Sequence, residues 1–282
     1  MISREEKNKE IIDEIKHEKT IKITKFILRI VGVVILVFAL FFLYSYFLGV
    51  KGLTTKEYLI KDSNIPDSFH GLKILHFTDI LYGKTITEKE LDQISKEIEL
   101  INPNIVVFTG NIVSKDYKLN EDEIEKLKNF FKKIPYTIGK YAVSGENDEN
   151  NYHLILDNTD FEILDNKLIE IYNNKDKINL IGINYHNKDD IKNESSDFTI
   201  SMINNYDDYD NYDISSNIVL AGHNLGGEIK LFNIPLLGLD RHLKDYYQEG
   251  NTKVYISSGL GSIHHLRFMN KPSMNVYRLY NK

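Results

Sequence analysis

From Ile30 to Val50 the chain carries no charged side chain, over the run IVGVVILVFALFFLYSYFLGV. An α-helix rises 1.5 Å per residue, so this run is roughly 30 Å long, the thickness of a bilayer's hydrocarbon core. A helix buried in a soluble core keeps a polar stripe, whereas one that is apolar all round at this length has lipid for a solvent. A secretory signal has a shorter apolar region followed by a small-x-small cleavage motif, and no such motif follows Val50. The run predicts one retained transmembrane helix over 25–50. Lys16, Lys19, Lys22, Lys25 and Arg29 precede it, against Lys51, Lys56 and Lys61 after it. That bias predicts a cytoplasmic tail over 1–24 and an extracytoplasmic domain, single-pass in the cell membrane. Tyr44 and Tyr46 fall at the outer interface, the level that amphipathic rings prefer.

Beyond the span, residues 51–69 are polar and turn-rich, contain Pro66, and read as a linker onto a domain over 70–282. The net charge of −6 offers no electrostatic footprint for nucleic acid. There is no cysteine, which excludes disulfides, thiolate nucleophiles, Cys-type zinc sites and iron–sulfur clusters.

Within the domain, GLKILHFTD (71–79), NPNIVVFTGN (102–111) and KYAVSGEND (140–148) are apolar runs separated by ELDQISKEIELI (90–101) and EDEIEKLKNFFKKI (121–134), which have a helical period. This alternation predicts an α/β domain with βαβ units and a largely parallel sheet. The second half, from FEILDNKLIEIY through SNIVLAGHNLGGEIKL (216–231) to MNVYRLYNK (274–282), is strand-rich and predicts a second sheet. NNYDDYDNYD (204–213) reads as a short helix or a solvated loop whose acids face water.

Four apolar runs end in polar residues: Asp79, then Gly110-Asn111, then Gly145-Glu146-Asn147-Asp148 with Glu149, then Gly222-His223-Asn224. Open α/β sheets bind ligands beyond the carboxyl ends of their strands, so four such ends in series predict a shared rim. Taken singly, each has a plainer role. Asp79 suits a turn cap and His223 a hydrogen-bonded core histidine. Gly226 and Gly227 suit tight backbone geometry, and His264 and His265 an exposed loop.

In order and spacing the fragments LKILHFTD, INPNIVVFTGNIV, YAVSGEND, IVLAGHNLGGEIKL and VYISSGLG resemble the calcineurin-like metallophosphoesterases, in particular their membrane-anchored bacterial branch. The resemblance covers about residues 70–282 and implies two packed mixed β-sheets flanked by helices, a metallophosphoesterase-like sandwich. It also implies a chemistry in which two metal ions clamp a phosphoryl group and activate a bridging water, while a separate histidine protonates the leaving group. Carried over position by position, Asp79 and His223 keep a metal ligand, and Asp148 matches the motif. Asn111 stands for the bridging aspartate, Glu146 for the amide ligand, Asn204 for a mid-chain histidine and Asn147 for the catalytic histidine. Leu81 and Leu225 stand where two further histidines belong. Leucine cannot coordinate a metal, and asparagine supplies neither the bridging charge nor an acid at neutral pH.

The resemblance therefore implies a two-metal centre lost and no intact catalytic residue. Asp79, Asn111, Glu146, Asn147 and Asn204 leave an oxygen set suited to one Mg²⁺ or Ca²⁺ ion. The expected function is a membrane-anchored pseudoenzyme with a binding or regulatory role. The alternative is an active phosphoesterase using a rearranged single-metal site on a lipid or nucleotide ester, and a third reading is a structural envelope protein. The membrane is the one partner the sequence names; a protein or phosphate ligand is left open.

Overall fold

The computed structural model describes residues 4–282 apart from 149, 150, 186–190, 192, 194, 213, 233 and 237–240. Glu149 and Asp213, named above among the rim and loop acids, lie outside the described residues. The chain divides into two compact units, Met1–Tyr44 and Ser45–Lys282. One helix, α1 (Arg4–Phe47), accounts for the first unit and its exit. Within it Ile12–Phe47 is long and apolar enough to cross a membrane, so the expected span is a candidate anchor and the tail before it is helical from Arg4.

The domain follows in chain order. Strand β1 (Thr54–Asp62) is followed by β2 (Lys73–Phe77), α2 (Glu88–Ile101), β3 (Ile105–Phe108), α3 (Glu121–Lys133), β4 (Gly139–Ala142), α4 (Tyr152–Leu156) and β5 (Phe161–Ile163). Next come β6 (Lys167–Asn173), β7 (Asp176–Ile183), β8 (Thr199–Ile203) and β9 (Ile218–Ala221). A small hairpin of β10 (Lys230–Leu231) and β11 (Ile234–Pro235) precedes β12 (Tyr246–Glu249), β13 (Thr252–Ile256) and β14 (Ser273–Asn281). Two six-stranded mixed sheets result, ordered β1-β14-β2-β3-β4-β5 and β12-β13-β9-β8-β7-β6. This is the α/β fold with two packed sheets that the sequence predicts.

Strand alternation sorts the core into layers. Leu75, Phe77, Val106 and Phe108 face Leu91, Ile94 and Ile98 of α2 and Phe130 and Phe131 of α3. Ile74, Ile105 and Val107 turn the other way, onto Leu180, Ile200, Met202, Ile218 and Leu220 of the second sheet. Capping boxes start both long helices, Thr87 with Glu90 and Asn120 with Glu123.

Two expectations need correction. The stretch 51–69 is not a free linker, because nine of its residues form β1, paired parallel with β14 from Thr54↔Ser273 to Asp62↔Asn281. It reads as polar because it is a sheet edge on which only Ile60 is fully buried. The tract 204–213 takes the short-helix alternative, and only the expectation that its acids merely face water is corrected, at Asp207. A 3₁₀ helix (Tyr206–Asn211) buries Tyr206 and Tyr209 against Ile203, Val219 and Ile256 on the outer face of the second sheet. Asp207 there is held below the usual carboxylate range, where hydrogen bonds from His242 and the Arg241 N–H outweigh its burial.

Candidate functional site

The carboxyl ends of β2, β3 and β4 in one sheet and of β8, β9 and β13 in the other open onto one edge, and the sequence-predicted rim residues meet there. Asp79 is 1% exposed. Its Oδ1 accepts from Asn111 Nδ2 at 2.7 Å, and its Oδ2 from the His223 backbone N–H at 2.9 Å and from Thr78 Oγ1 at 3.0 Å. The His223 contact ties β9 of the second sheet to β2 of the first. It also fixes Gly222, because a Cβ there would stand 2.2 Å from Thr78 Oγ1. Burial pushes the Asp79 carboxyl above its ordinary range, opposed by these hydrogen bonds.

The orientation of the amides follows from partners that have only one role. The Asn147 backbone N–H can only donate and sits 3.0 Å from Asn111 Oδ1, which leaves Nδ2 facing Asp79. The Thr109 carbonyl can only accept and sits 2.6 Å from Asn204 Nδ2, so Asn204 Oδ1 is the atom 3.4 Å from Asn111 Nδ2. One NH₂ group therefore lies between the Asp79 carboxylate and the Asn204 carbonyl oxygen, all three side chains being buried. The polarity is consistent along the whole chain of bonds.

Asp148 matches the family motif, but it braces the loop. It is fully buried and accepts from three backbone N–H groups, Asn111 at 2.6 Å, Ile112 at 2.7 Å and Gly145 at 2.9 Å. Burial nevertheless pushes its carboxyl up to about 6. Arg267, which sequence reasoning missed, supports the site from beneath. It is fully buried and donates to the carbonyls of Ser258 at 2.6 Å, Gly261 at 2.5 Å, Asn270 at 3.2 Å and Gly259 at 3.4 Å. Gly261 N in turn donates to the Asp79 carbonyl at 2.7 Å.

The rim backbone has a second signature. Asp79, Leu81, Asn111, His223 and Leu225 all lie in the left-handed region, with φ of 52°, 48°, 63°, 63° and 50°. Asp, Asn and His are enriched there, and leucine is not. Leu81 and Leu225 are 3% and 1% exposed and pack into the apolar floor. Each thus holds a conformation that costs about 1–2 kcal/mol for an L-residue, at a position where its side chain offers no polar compensation. Gly226 and Gly227 continue the turn at φ of 58° and 73°, as expected of glycine.

Two cavities open beside this centre. One, of about 430 Å³, is lined by Leu81, Lys84, Lys115, Glu146, Asn147 and His223 among others. The adjoining one, of about 330 Å³, is apolar and lined by Leu225, Ile229, Leu243 and Leu266, and it shares His223 and Ile263 with the first. Glu146 Oε2 lies 4.0 Å from His223 Nε2, while buried His223 Nδ1 has no hydrogen-bond partner among the described residues. His264 sits 75% exposed at the lip with Nδ1 2.6 Å from Glu228 Oε2, a pairing across distant segments that local sequence does not signal. His265 stacks on Tyr46 at 4.4 Å.

The donor set does not fit a two-metal centre. The bridging position is an amide that presents nitrogen to Asp79, both Asp79 oxygens already accept from protein donors, and Leu81 and Leu225 carry no lone pair. Of the oxygen set suited by sequence to one Mg²⁺ or Ca²⁺ ion, Glu146 and Asn147 line the neighbouring cavity and the rest is engaged within the protein. The oxygens a hard cation takes, Oδ1 of Asp79 and Oδ1 of Asn204, both face the Asn111 amino group. Among the described residues, no three His, Asp or Glu side chains are grouped to hold a metal.

No protein-family model matches the chain. Whole-chain similarity is more informative. The uncharacterized metallophosphoesterase YkuE of Bacillus subtilis is 27% identical over 261 residues, spanning 84% of this chain and 88% of that protein. The uncharacterized metallophosphoesterase Cj0846 of Campylobacter jejuni is 28% identical over 228 residues, 75% of this chain and 59% of the relative. The UDP-2,3-diacylglucosamine pyrophosphatase LpxG of Chlamydia muridarum is 22% identical over 293 residues, 77% of this chain and 87% of the relative. With two mixed sheets and strand ends converging on Asp79 and His223, the chain is similar along most of its length to proteins named as metallophosphoesterases, which supports assigning it to that family.

Proposed function

We propose that this protein is a membrane-anchored metallophosphoesterase-family member that has lost two-metal hydrolysis and keeps its cleft to bind an anionic amphiphile outside the cell. The observation that carries the reading is the Asn111 amino group seated between Asp79 and Asn204. A buried donor there satisfies by hydrogen bonding the oxygens that a cation would otherwise take, which supports a centre stable without metal. The basic flank of the apolar helix supports an N-in anchor with the domain outside.

The ligand class follows from the paired cavities. Lys84, Lys115 and His223 line the polar one together with Asp116 and Glu146 and offer donors to a headgroup phosphate, while Leu225, Ile229, Leu243 and Leu266 line the apolar one and suit an acyl chain. That one relative is named for a diacyl substrate is consistent with this assignment.

The test uses the full chain in nanodiscs. Phosphatidylglycerol is expected to bind more tightly than phosphatidylcholine, and Lys84→Glu with Lys115→Glu should abolish the difference. No turnover of a generic phosphodiester is expected with Mn²⁺ or Mg²⁺. A second reading, a rearranged single-metal hydrolase, is favoured by one feature, the Glu146–His223 pair facing the cleft. Metal-dependent turnover abolished by Asp79→Ala and by His223→Ala would establish that reading and refute the first.

A further inference from the structure

We infer that the hairpin β10–β11 is a second membrane contact, which seats the domain on the bilayer surface beside the point where the chain enters it. Leu231, Phe232, Ile234 and Leu236 are 41%, 78%, 65% and 53% exposed. Isolated exposed apolar residues are ordinary, but four within six positions on one short hairpin form a patch that in water calls for a partner. The hairpin is also too short to be stable alone, with two residues in each strand.

What covers it follows from its attachment. Lys230 N donates to the Phe268 carbonyl at 2.9 Å, and Phe268 N to the Glu228 carbonyl at 3.1 Å. The neighbouring Arg267 N donates to the Ser45 carbonyl at 3.1 Å, and Thr54 N to the Pro272 carbonyl at 2.9 Å. One loop, 265–272, is thus bonded on one side to the hairpin and on the other to the first residues of the domain. Those first residues continue an apolar segment that ends at Val50, so this face meets the headgroup layer. Met269 is 48% exposed on the same loop, Lys271 is exposed two residues further on, and Lys51 is exposed in the segment bonded to that loop. Apolar side chains on the hairpin, with lysines on the adjoining loop and on the segment bonded to it, match the chemistry of an anionic bilayer interface, where apolar groups enter the headgroup–acyl boundary and cations stay with the phosphates. The hairpin follows directly on Ile229, which lines the apolar cavity, so docking opens that cavity towards lipid. The inference rests on the anchored reading above.

The chain has no cysteine, so one introduced thiol is a unique label. Full-length Phe232→Cys carrying an environment-sensitive fluorophore is reconstituted in vesicles of phosphatidylethanolamine and phosphatidylglycerol. Val34→Cys in the span and Leu100→Cys, 81% exposed on α2, serve as lipid and water references. The label at 232 is expected to shift to the blue and to be quenched by nitroxide-bearing lipid rather than by aqueous iodide. Adding Ile234→Asp should return it to iodide, with the thermal unfolding temperature unchanged. If 232 behaves like 100 while 34 stays lipid-quenched, the docking inference is overturned and the anchor stands. Protection of 232 from both quenchers means that a second protein copy covers it, which also overturns the inference. Iodide quenching at 34 as well would overturn anchor and docking together.

Discussion

Replacing Asn111 by aspartate returns the bridging carboxylate without its metals. The new oxygen would stand about where Nδ2 now lies, 2.7 Å from Asp79 Oδ1, in a site where both residues are at most 2% exposed. Two full charges about 4 Å apart repel by about 4 kcal/mol at an effective dielectric near 20. The pair can escape by sharing a proton, which for an ordinary carboxyl also costs roughly 4 kcal/mol at pH 7 and less for one already raised by burial, as Asp79 is. The expected loss is therefore about 2–4 kcal/mol at pH 7, on the order of 10 °C in melting temperature for a domain of this size. The pH dependence has a definite sign. The shared proton raises the folded-state affinity above that of the unfolded chain, so stability is present in acid and lost as pH rises. Thermal unfolding of variant and parent at pH 5 and pH 7, in chelator, should show the difference shrinking at pH 5. A loss below about 0.5 kcal/mol that does not change with pH would refute the argument, because the amide would then not be the donor that holds Asp79.

Restoring the whole set, Leu81→His, Asn111→Asp, Glu146→Asn, Asn147→His, Asn204→His and Leu225→His, should give Mn²⁺-dependent stabilisation and phosphodiester turnover that no single change gives, since ligands act as a unit. Leu81→His alone should cost about 1–3 kcal/mol by placing an unpaired imidazole in an apolar floor, as denaturant titration would measure. Asp148, raised to about 6 by burial, lends stability that is complete below pH 4 and lost as pH rises through 6. Asp148→Asn should flatten that slope and, by leaving one backbone N–H facing an NH₂, cost about 1–3 kcal/mol in chemical denaturation. Arg267→Ala strips the carbonyls of Ser258, Gly261 and Asn270 of this donor, while Gly259 keeps Ser273 N, and should cost about 3–5 kcal/mol by the same measurement. Protease added to intact protoplasts should digest the 70–282 domain, and survival of that domain until lysis would reverse the topology.

The sequence carries the rim legibly because strand ends are punctuated by residues that tolerate a left-handed turn. Gly110-Asn111 and Gly222-His223 mark both the ends of their strands and the positions that later meet. It carries β1 poorly, since an edge strand packed on one side spells TTKEYLIKD, with little of the apolar content that betrays its neighbours. Asp148 and Glu146 are two residues apart and chemically alike, yet one is fully buried under three N–H groups and the other lines a cavity. Only the path of the turn separates them. Tyr206 and Tyr209 carried a usable signal, two aromatics at 3₁₀ spacing inside a tract dominated by its acids. The Arg267 network had none, because its partners are backbone carbonyls, which every residue owns.

The pairing of β1 with β14 sets the order of events during synthesis. The first strand after the apolar helix must wait for Ser273–Asn281, and β14 also lies between β1 and β2, so one sheet is incomplete until both arrive. At translation rates of 5–20 residues per second that interval is roughly 10–40 s, long beside the microseconds to seconds in which small domains fold. Contacts of such sequence separation also close slowly. During the wait β1 stands without its partner, exposed to proteases and to neighbouring nascent chains. Until Ser273–Asn281 is made, β1 and β2 lack the neighbour they share, so closure of this sheet reports that β14 has been synthesised.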